Sequence, residues 1–241
     1  MRYAIISDIH GNWEALEAVL GECRKLRAEA FLCTGDIVGY GANPKECLDA
    51  LRKLKAVAIA GNHDWAVSGR LDYSHFTPDG KDAINWSRTR MSFEDIAHLN
   101  ALTVCLKNKD CVLVHGALKD PEHFTYLDSI SKAVDSFALM DVAVCFVGHT
   151  HVPKVFIQRG DSVLESEALD IEIDPAYKYI VNVGSVGQPR DGNPMASFCV
   201  YDTALRMITN HRIVYDIKKA QGKIIEAGLP ENLALRLARG Q

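Results

Sequence analysis

Five short blocks of this chain concentrate carboxylate, amide and imidazole side chains: Asp8-Ile9-His10, Gly35-Asp36, Asn62-His63-Asp64, Val114-His115-Gly116 and His149-Thr150-His151. Each follows a strand-like apolar run. Oxygen and imidazole donors in this mixture suit hard or borderline divalent ions, and a carboxylate can bridge two of them. One such block carries little information, but five in order point to a dinuclear metallohydrolase. A charge count narrows the substrate. Two divalent ions bring four positive charges, Asp8 and Asp36 return two negative ones, and Asn and neutral His return none. The surplus suits hydroxide and an anionic group, phosphate above all. No Cys–His or Ser–His nucleophile is needed to account for the pattern.

Ligands so far apart in sequence require elements that bring them together. Residues 3–7 are almost wholly apolar, as in a strand buried on both faces. A helix is expected to follow from Trp13, with Asn12 as its N-cap and Leu16, Val19, Leu20 and Cys23 at helical spacing. Strands at 30–34 and 57–60, with a helix at 44–54 between them, complete a βαβαβ run and imply parallel pairing. The stretch 65–106 breaks this rhythm and reads as a polar, aromatic insert with helical pieces near 80–90 and 93–100. Strands return at 111–115 and 142–148, around a helix near 131–139. A hairpin at 155–165 and strands at 179–183, 196–201 and 207–214 are expected to be antiparallel. The last twenty residues read as a helical tail that includes 231–239. The whole is taken as one domain, residues 1–241. Alternate side chains of an extended segment share a face, so Asp8 with His10, and His149 with His151, are each expected to grip one ion from a strand end.

The bulk composition narrows the setting. Hydrophobic content of 48% and charged content of 24% are ordinary for a globular chain, and a net charge of −4 argues against a nucleic-acid partner. The start ends on a carboxylate after a short apolar run, unlike a signal peptide, and no stretch approaches a membrane span. Seven cysteines without a CxxC pair read as buried free thiols, so a reduced, cytoplasmic location is expected.

The five blocks, in order, resemble the pattern DxH, GD, GNH[DE], an isolated His with Gly, and GHxH of the calcineurin-like metallophosphoesterase superfamily. The resemblance implies two packed mixed β-sheets flanked by helices, an α/β/β/α sandwich. It implies that Asp8, His10, Asp36 and His151 hold one ion and Asp36, Asn62, His115 and His149 a second, with Asp36 bridging. His63 matches the non-ligand histidine that protonates the leaving oxygen, and Asp64 is a candidate to orient it. The implied cofactor is a pair of divalent ions, manganese first, with iron, zinc, nickel or cobalt as alternatives. Protein serine/threonine phosphatases of the superfamily read GDxVDRG where this chain has Gly35-Asp36-Ile37-Val38-Gly39-Tyr40-Gly41, which counts against a phosphoprotein substrate. That segment and Val183–Gly192 look instead like small prokaryotic phosphodiesterase-like members. Arg190 is the candidate phosphate-binding cation there, with a turn-closing pair to Asp191 as the competing reading.

The expected activity is therefore phosphodiester hydrolysis of a small or nucleotide-like ester, by attack of metal-activated hydroxide with His63 assisting the leaving group. A phosphomonoesterase on the same site is the alternative, and a scaffold that has lost catalysis is a distant third, since His63 and the ligand set are intact. His75, His98 and His211 are read as surface residues and His123 as a loop residue near the site. Tyr40, Trp65 and Trp86 are read as either base-stacking or packing aromatics. No membrane partner is expected, and an apolar strand edge or the C-terminal helix offers a surface for a homodimer.

Overall fold

Alternate residues of the first strand are buried in two different cores. Ala4 and Ile6 face one, Tyr3 and Ile5 the other, and all four are below a tenth exposed. A strand so placed must lie inside a stack of layers, and the computed structural model, which describes residues 1–166 and 168–241, has this arrangement. In chain order the elements are β1 (Arg2–Ile6), α1 (Trp13–Lys25), β2 (Ala30–Cys33), α2 (Pro44–Lys53), β3 (Val57–Ala58), α3 (Asn62–Ser68), α4 (Pro78–Thr89), α5 (Phe93–Ala101), β4 (Cys105–Lys107), β5 (Val112–Val114), α6 (Ile130–Phe137), β6 (Val144–Val147), β7 (Lys154–Arg159), β8 (Ser162–Ser166), β9 (Ile171–Glu172), β10 (Lys178–Asn182), β11 (Ala196–Asp202), β12 (Met207–Ile213), α7 (Ile217–Glu226) and α8 (Glu231–Arg239).

The strands form two six-stranded sheets, ordered β3-β2-β1-β11-β12-β9 and β4-β5-β6-β10-β7-β8. Between them lies a core that includes Ile5, Leu32, Phe146, Val181 and Ile208. Helices α1, α2, α7 and α8 cover the outer face of the first sheet, and α6 covers the outer face of the second. The period-two alternation holds on the second sheet too: Val144 and Phe146 point to the central core, Cys145 and Val147 to the α6 side. The expected α/β/β/α sandwich of two mixed sheets is the fold observed.

Local signals account for most boundaries. Asn12 accepts from the Ala15 amide at 3.2 Å and caps α1, as its position predicts. Pro44 opens α2, where a missing N–H costs nothing. Ser92 and Asp95 form a reciprocal capping box at α5. All seven cysteines are free, and six of them are buried. Among the described residues no helix is long and apolar enough to cross a membrane.

The structure corrects three expectations. β10 is not purely antiparallel: it pairs parallel to β6, with Ile180 opposite Cys145, and antiparallel to β7. The chain leaves the β7–β8 hairpin, adds β9 to the other sheet, and returns on the far side of β7 in the same sense as β8. That choice of direction rests on pairing distant in sequence, which a local pattern does not encode. Second, β3 ends at Ala58, and the third ligand block lies at the start of a helix, α3, rather than at a strand end. Third, β4 adds an antiparallel edge beside β5. The second sheet thus carries parallel strands at its centre, β5, β6 and β10, between antiparallel edges.

Phe146 is fully buried between the sheets, with the Tyr201 ring centroid 5.7 Å away. Replacing it with Ala removes an aromatic ring from a layer closed on both sides. Phe146→Ala is expected to lower the unfolding free energy by about 3–5 kcal/mol in a urea titration. A loss below about 1 kcal/mol would mean the two sheets close over the gap.

Candidate active site

Six parallel strands aim their carboxyl ends at one edge of the sandwich. In the first sheet β1, β2 and β3 run parallel; in the second, β5, β6 and β10 do. The residues that follow them are Asp8 and His10, Asp36, Asn62 and His63, His115, His149 and His151, and the segment Val183–Arg190. Crevices at the carboxyl ends of such strands are where open α/β sheets place their sites. Backbone hydrogen bonds join the loops: the Asp8 amide donates to the Gly35 carbonyl at 3.0 Å, His10 to Asp36 at 2.9 Å and Gly187 to Asp8 at 2.9 Å.

The ligand loops are not extended, which corrects the strand-end reading of the two DxH-like pairs. Asp8, His10, Asp36, His149 and His151 all take left-handed backbone, with φ of 50°, 49°, 54°, 69° and 61°. Non-glycine residues in this region cost roughly 1–3 kcal/mol each and persist only where surroundings enforce them. The consequence is a sharper turn at each block. His149 and His151 therefore serve different groups rather than one: His151 lies with Asp8 and His10, His149 with Asp36 and His115.

Distances define the two groups. His151 Nε2 is 3.2 Å from Asp8 Oδ1 and 3.1 Å from His10 Nε2. Asp36 Oδ2 is 3.5 Å from His10 Nε2 and 3.3 Å from His115 Nε2, so one oxygen faces both groups. The outer nitrogens are anchored on carbonyls: His10 Nδ1 on Val38, His115 Nδ1 on Thr34, His151 Nδ1 on Gln188. A ring nitrogen facing a carbonyl must carry the proton, which leaves Nε2 as a lone pair in the neutral ring. Two such lone pairs then confront each other at 3.1 Å between His10 and His151, an arrangement that asks for a cation. His115 Nε2 and Asn62 Oδ1 are likewise buried with no hydrogen-bond partner among the described residues. The donor set and its orphaned atoms fit divalent ions.

The electrostatics agree. Burial opposes charge on Asp8, but His151 and His115 outweigh it and hold the carboxyl below the ordinary range. Asp36 is held low in the same way, chiefly by His115 and His63 against its burial. Burial lowers His115, yet Asp36 and Asp8 beside it raise the ring to about 9. Positive charge is thus favoured between the two carboxylates. Burial pushes His149 down to about 3 and His63 down to about 4, which keeps both neutral.

Close approach at two glycines makes the packing possible. A Cβ at Gly61 would stand 2.0 Å from Asp36 Oδ1, and one at Gly148 2.0 Å from Ser7 Oγ. Ser7 Oγ in turn donates to Asp8 Oδ2 at 2.6 Å, and the His149 amide donates to the same oxygen at 2.9 Å. The segment Val183–Gln188, which sequence reasoning noticed but gave no supporting role, holds the Asp8 loop. Ser185 Oγ donates to the Asp8 carbonyl at 2.8 Å, and Asn12 Nδ2 donates to Gly187.

His63 sits differently from the anchored histidines. Its Nδ1 has no partner among the described residues, and its ring is held by Tyr40 at 4.5 Å, His10 at 4.8 Å and Phe76 at 5.2 Å between centroids. Its nitrogen also lies close to His10 and Asp36, so it borders the ligand groups. Asp64 does not reach the His63 ring. Its carboxylate accepts from the amides of Gly61, Asp36, Ile37 and Val38 at 2.8–3.2 Å, so it clamps the Asp36 loop to the start of α3. Arg190 does not close a turn with Asp191, which pairs with Arg212 instead. Its Nη2 donates to Gln188 Oε1 at 3.0 Å and its guanidinium stands 5.7 Å from the Tyr40 ring.

A cavity of about 450 Å³ opens over these groups, floored by Asp36, Asn62, His63, His149 and His151 and flanked by Arg190. Its walls are aromatic: Tyr40, Phe76, Phe124 and Tyr126. Of the aromatics singled out in the sequence, Tyr40 lines it, whereas Trp65 packs against Phe124 from behind and Trp86 lies elsewhere. Tyr126 and Phe76 were missed; the Tyr126 ring lies flat on His149 at 4.0 Å and 11°. The available signal was an aromatic pair, Phe124 and Tyr126, in an otherwise polar loop just after His115. His123 and the exposed His75 both reach the rim, and His211, rather than lying free on the surface, stacks half-buried on Phe198.

The profile of the calcineurin-like phosphoesterase superfamily domain matches residues 1–205. The chain belongs to that superfamily. It is 40% identical over 244 residues to an uncharacterized protein of Methanocaldococcus jannaschii, covering 99% of this chain and 98% of that one. Among solved structures it is similar to a metallophosphoesterase from Sphaerobacter thermophilus, with a TM-score of 0.87 and 37% identity over 100% and 99% of the two chains. A hypothetical protein from Pyrococcus horikoshii OT3 shares the fold, with a TM-score of 0.82 and 20% identity over 100% and 98%. This metal-dependent phosphoester hydrolase family accounts for the Asp/His groups described above.

Asp64→Ala leaves four amides around the Asp36 loop without their acceptor. It is expected to lower the unfolding free energy by about 2–4 kcal/mol in urea. A change under about 1 kcal/mol would show that the clamp is dispensable.

Proposed function

We propose that the chain is a phosphodiesterase acting on a small or nucleotide-like ester. Two divalent ions are held by Asp8, His10, Asp36 and His151 on one side and by Asp36, Asn62, His115 and His149 on the other, with Asp36 shared. Ions so held supply Lewis acidity toward phosphoryl oxygens and lower the pKa of water. The observation that carries the reading is that the two groups meet at the floor of one aromatic-walled cavity, which His63 also lines, with Arg190 at its side.

The chain's own residues divide the remaining work. Arg190 offers a planar fork to phosphoryl oxygens. His63, held between Tyr40 and Phe76, borders the cavity; beside a bound phosphate anion its ring takes up a proton, gives it to the departing ester oxygen and is left neutral. Tyr126, Phe76 and Tyr40 offer flat apolar faces that suit an aromatic leaving group. Asp64 acts through the backbone of the Asp36 loop and has no direct part. A phosphomonoesterase is the second reading; the Arg190 cation favours it, since a terminal phosphate carries more charge than a diester.

The deciding assay strips the protein of metal, restores Mn, Ni, Zn or Mg singly, and compares bis(p-nitrophenyl) phosphate with p-nitrophenyl phosphate. Metal-restored preference for the diester, with two equivalents of ion per chain, is the expected result. Preference for the monoester would select the second reading, and inactivity with every ion would end both. His63→Ala is expected to retain its metal while turnover falls by roughly 10²–10⁴-fold. Loss of metal in that variant would make His63 a ligand instead of a proton donor.

A further inference from the structure

Three of the four histidines proposed as ligands have their outer nitrogen fixed on a carbonyl: His10 on Val38, His115 on Thr34 and His151 on Gln188. Such outer hydrogen bonds set the plane of a ligand ring and the direction of its lone pair. His149 is the exception. Its backbone amide donates to Asp8, but among the described residues its ring makes no hydrogen bond. The plane of that ring is set by another ring instead. Tyr126 lies flat on it, with centroids 4.0 Å and planes 11° apart. No other aromatic pair among the described residues is as close or as parallel; the nearest rivals stand at 4.5 Å and 46°, or at 5.1 Å and 21°.

Tyr126 is itself delivered with little freedom. The chain after His115 closes on itself at once: the Ala117 amide donates to the Thr125 carbonyl at 2.8 Å, and a Cβ at Gly116 would stand 2.4 Å from the same oxygen. Between these closing points lie a single 3₁₀ turn, Pro121–His123, and two residues in left-handed backbone, Asp120 and Phe124, at φ of 48° and 49°. A bulky residue in that region persists only where its surroundings enforce it. Here they do, because Phe124 is buried against Trp65 and stands edge-on to His115 at 5.9 Å. Leu127, on the other side of Tyr126, is fully buried in the core beneath α6. Tyr126 is thus held between two buried anchors, with one ring face on His149 and 45% of its surface open at the cavity wall.

We infer that Tyr126 is a positioning residue for one of the two ions: its ring stands in for the missing carbonyl anchor of His149 and governs how tightly Asp36, Asn62, His115 and His149 hold that ion. The other group has no such dependence. Both of its imidazoles, His10 and His151, are anchored on carbonyls, and Asp8 is fixed by the Ser7 hydroxyl and the His149 amide. The two positions therefore differ in construction. One rests on hydrogen-bonded strand-end loops, whereas the other leans on a half-open aromatic residue of the cavity wall. This inference rests on the two-ion reading of the Asp/His groups.

Titration of the metal-stripped protein with Mn²⁺, read by the electron paramagnetic resonance signal of the free ion, tests this without substrate or turnover. The wild-type protein is expected to take up two equivalents. Tyr126→Ala is expected to hold one of them as the wild type does and the other about 10–100-fold more weakly, the loss typical of removing an outer partner of a ligand histidine. Tyr126→Phe, which keeps the ring and loses only the hydroxyl, is expected to bind both as the wild type does. In a His149→Ala protein, adding Tyr126→Ala is expected to change the remaining equivalent by less than about twofold, since the effect runs through His149. Two unchanged equivalents in Tyr126→Ala, equal weakening of both, a Tyr126→Phe protein that behaves like Tyr126→Ala, or a further loss in the double variant would each overturn the role of Tyr126. Uptake of a single equivalent by the wild type would instead overturn the two-ion reading beneath it.

Discussion

Everything at the carboxyl edge of this sandwich depends on one unfavourable arrangement: two carboxylates and four imidazoles, all nearly inaccessible to water, with nitrogen lone pairs turned toward one another. Isolated buried charges and unpaired polar atoms are among the most costly features a fold can contain. Here they are imposed by six parallel strand ends, by left-handed turns at five of the ligands, and by glycines that admit backbone within contact of Asp36 and Asp8. The cost makes sense only for a site completed by cations, and it explains why the supporting hydrogen bonds are so complete. Ser185, Asn182 and Asp64 each spend a buried side chain on backbone near these residues, and Ser7 spends its hydroxyl on the Asp8 carboxylate.

Much of this was legible in the chain. The Asp, Asn and His residues that the structure gathers at one edge were legible because each block mixes donor types that a core would otherwise exclude, and because apolar runs precede them. The α1 cap at Asn12 and the proline start of α2 were legible because they are local signals. Other features were not. The sequence pattern gave Asp8-Ile9-His10 and His149-Thr150-His151 the geometry of a strand, and left-handed backbone at Asp and His breaks that two-residue periodicity. Without the extended geometry Asp8 and His10 still share a group, whereas His149 joins His115 instead of His151, the division that the family resemblance implies and the strand periodicity does not.

The direction of β10 was illegible for a different reason. Lys178–Asn182 has the same apolar character whether it runs parallel or antiparallel, and only its pairing with β6 decides. That pairing matters to the site, because a parallel β10 delivers Val183–Arg190 to the ligand edge, whereas an antiparallel one would carry it away. Ser185, Gln188 and Arg190 therefore reach Asp8 and His151 through a topological choice, not through any local motif. Asp64 illustrates a third limit. An acid beside a catalytic-type histidine suggests a partner for its ring, but at the third position of α3 the carboxylate is better placed to accept the amides at the helix start and of the facing loop.

The same reasoning separates the floor of the cavity from its rim. The floor is specified by rigid strand ends and buried bonds, and its chemistry follows from the ligand set. The rim is assembled from the 65–106 segment and the loop after His115, elements that differ in origin and share only their meeting place. Aromatic faces from both line the cavity above the Asp/His floor. A fold built this way can keep its reaction while its substrate changes, because Phe76 and Tyr126 make no hydrogen bond to Asp8 or Asp36. The acidic net charge of the chain makes the point sharper: the cation that lines the cavity, Arg190, is local and half-buried, so whole-chain charge says little about what the mouth attracts.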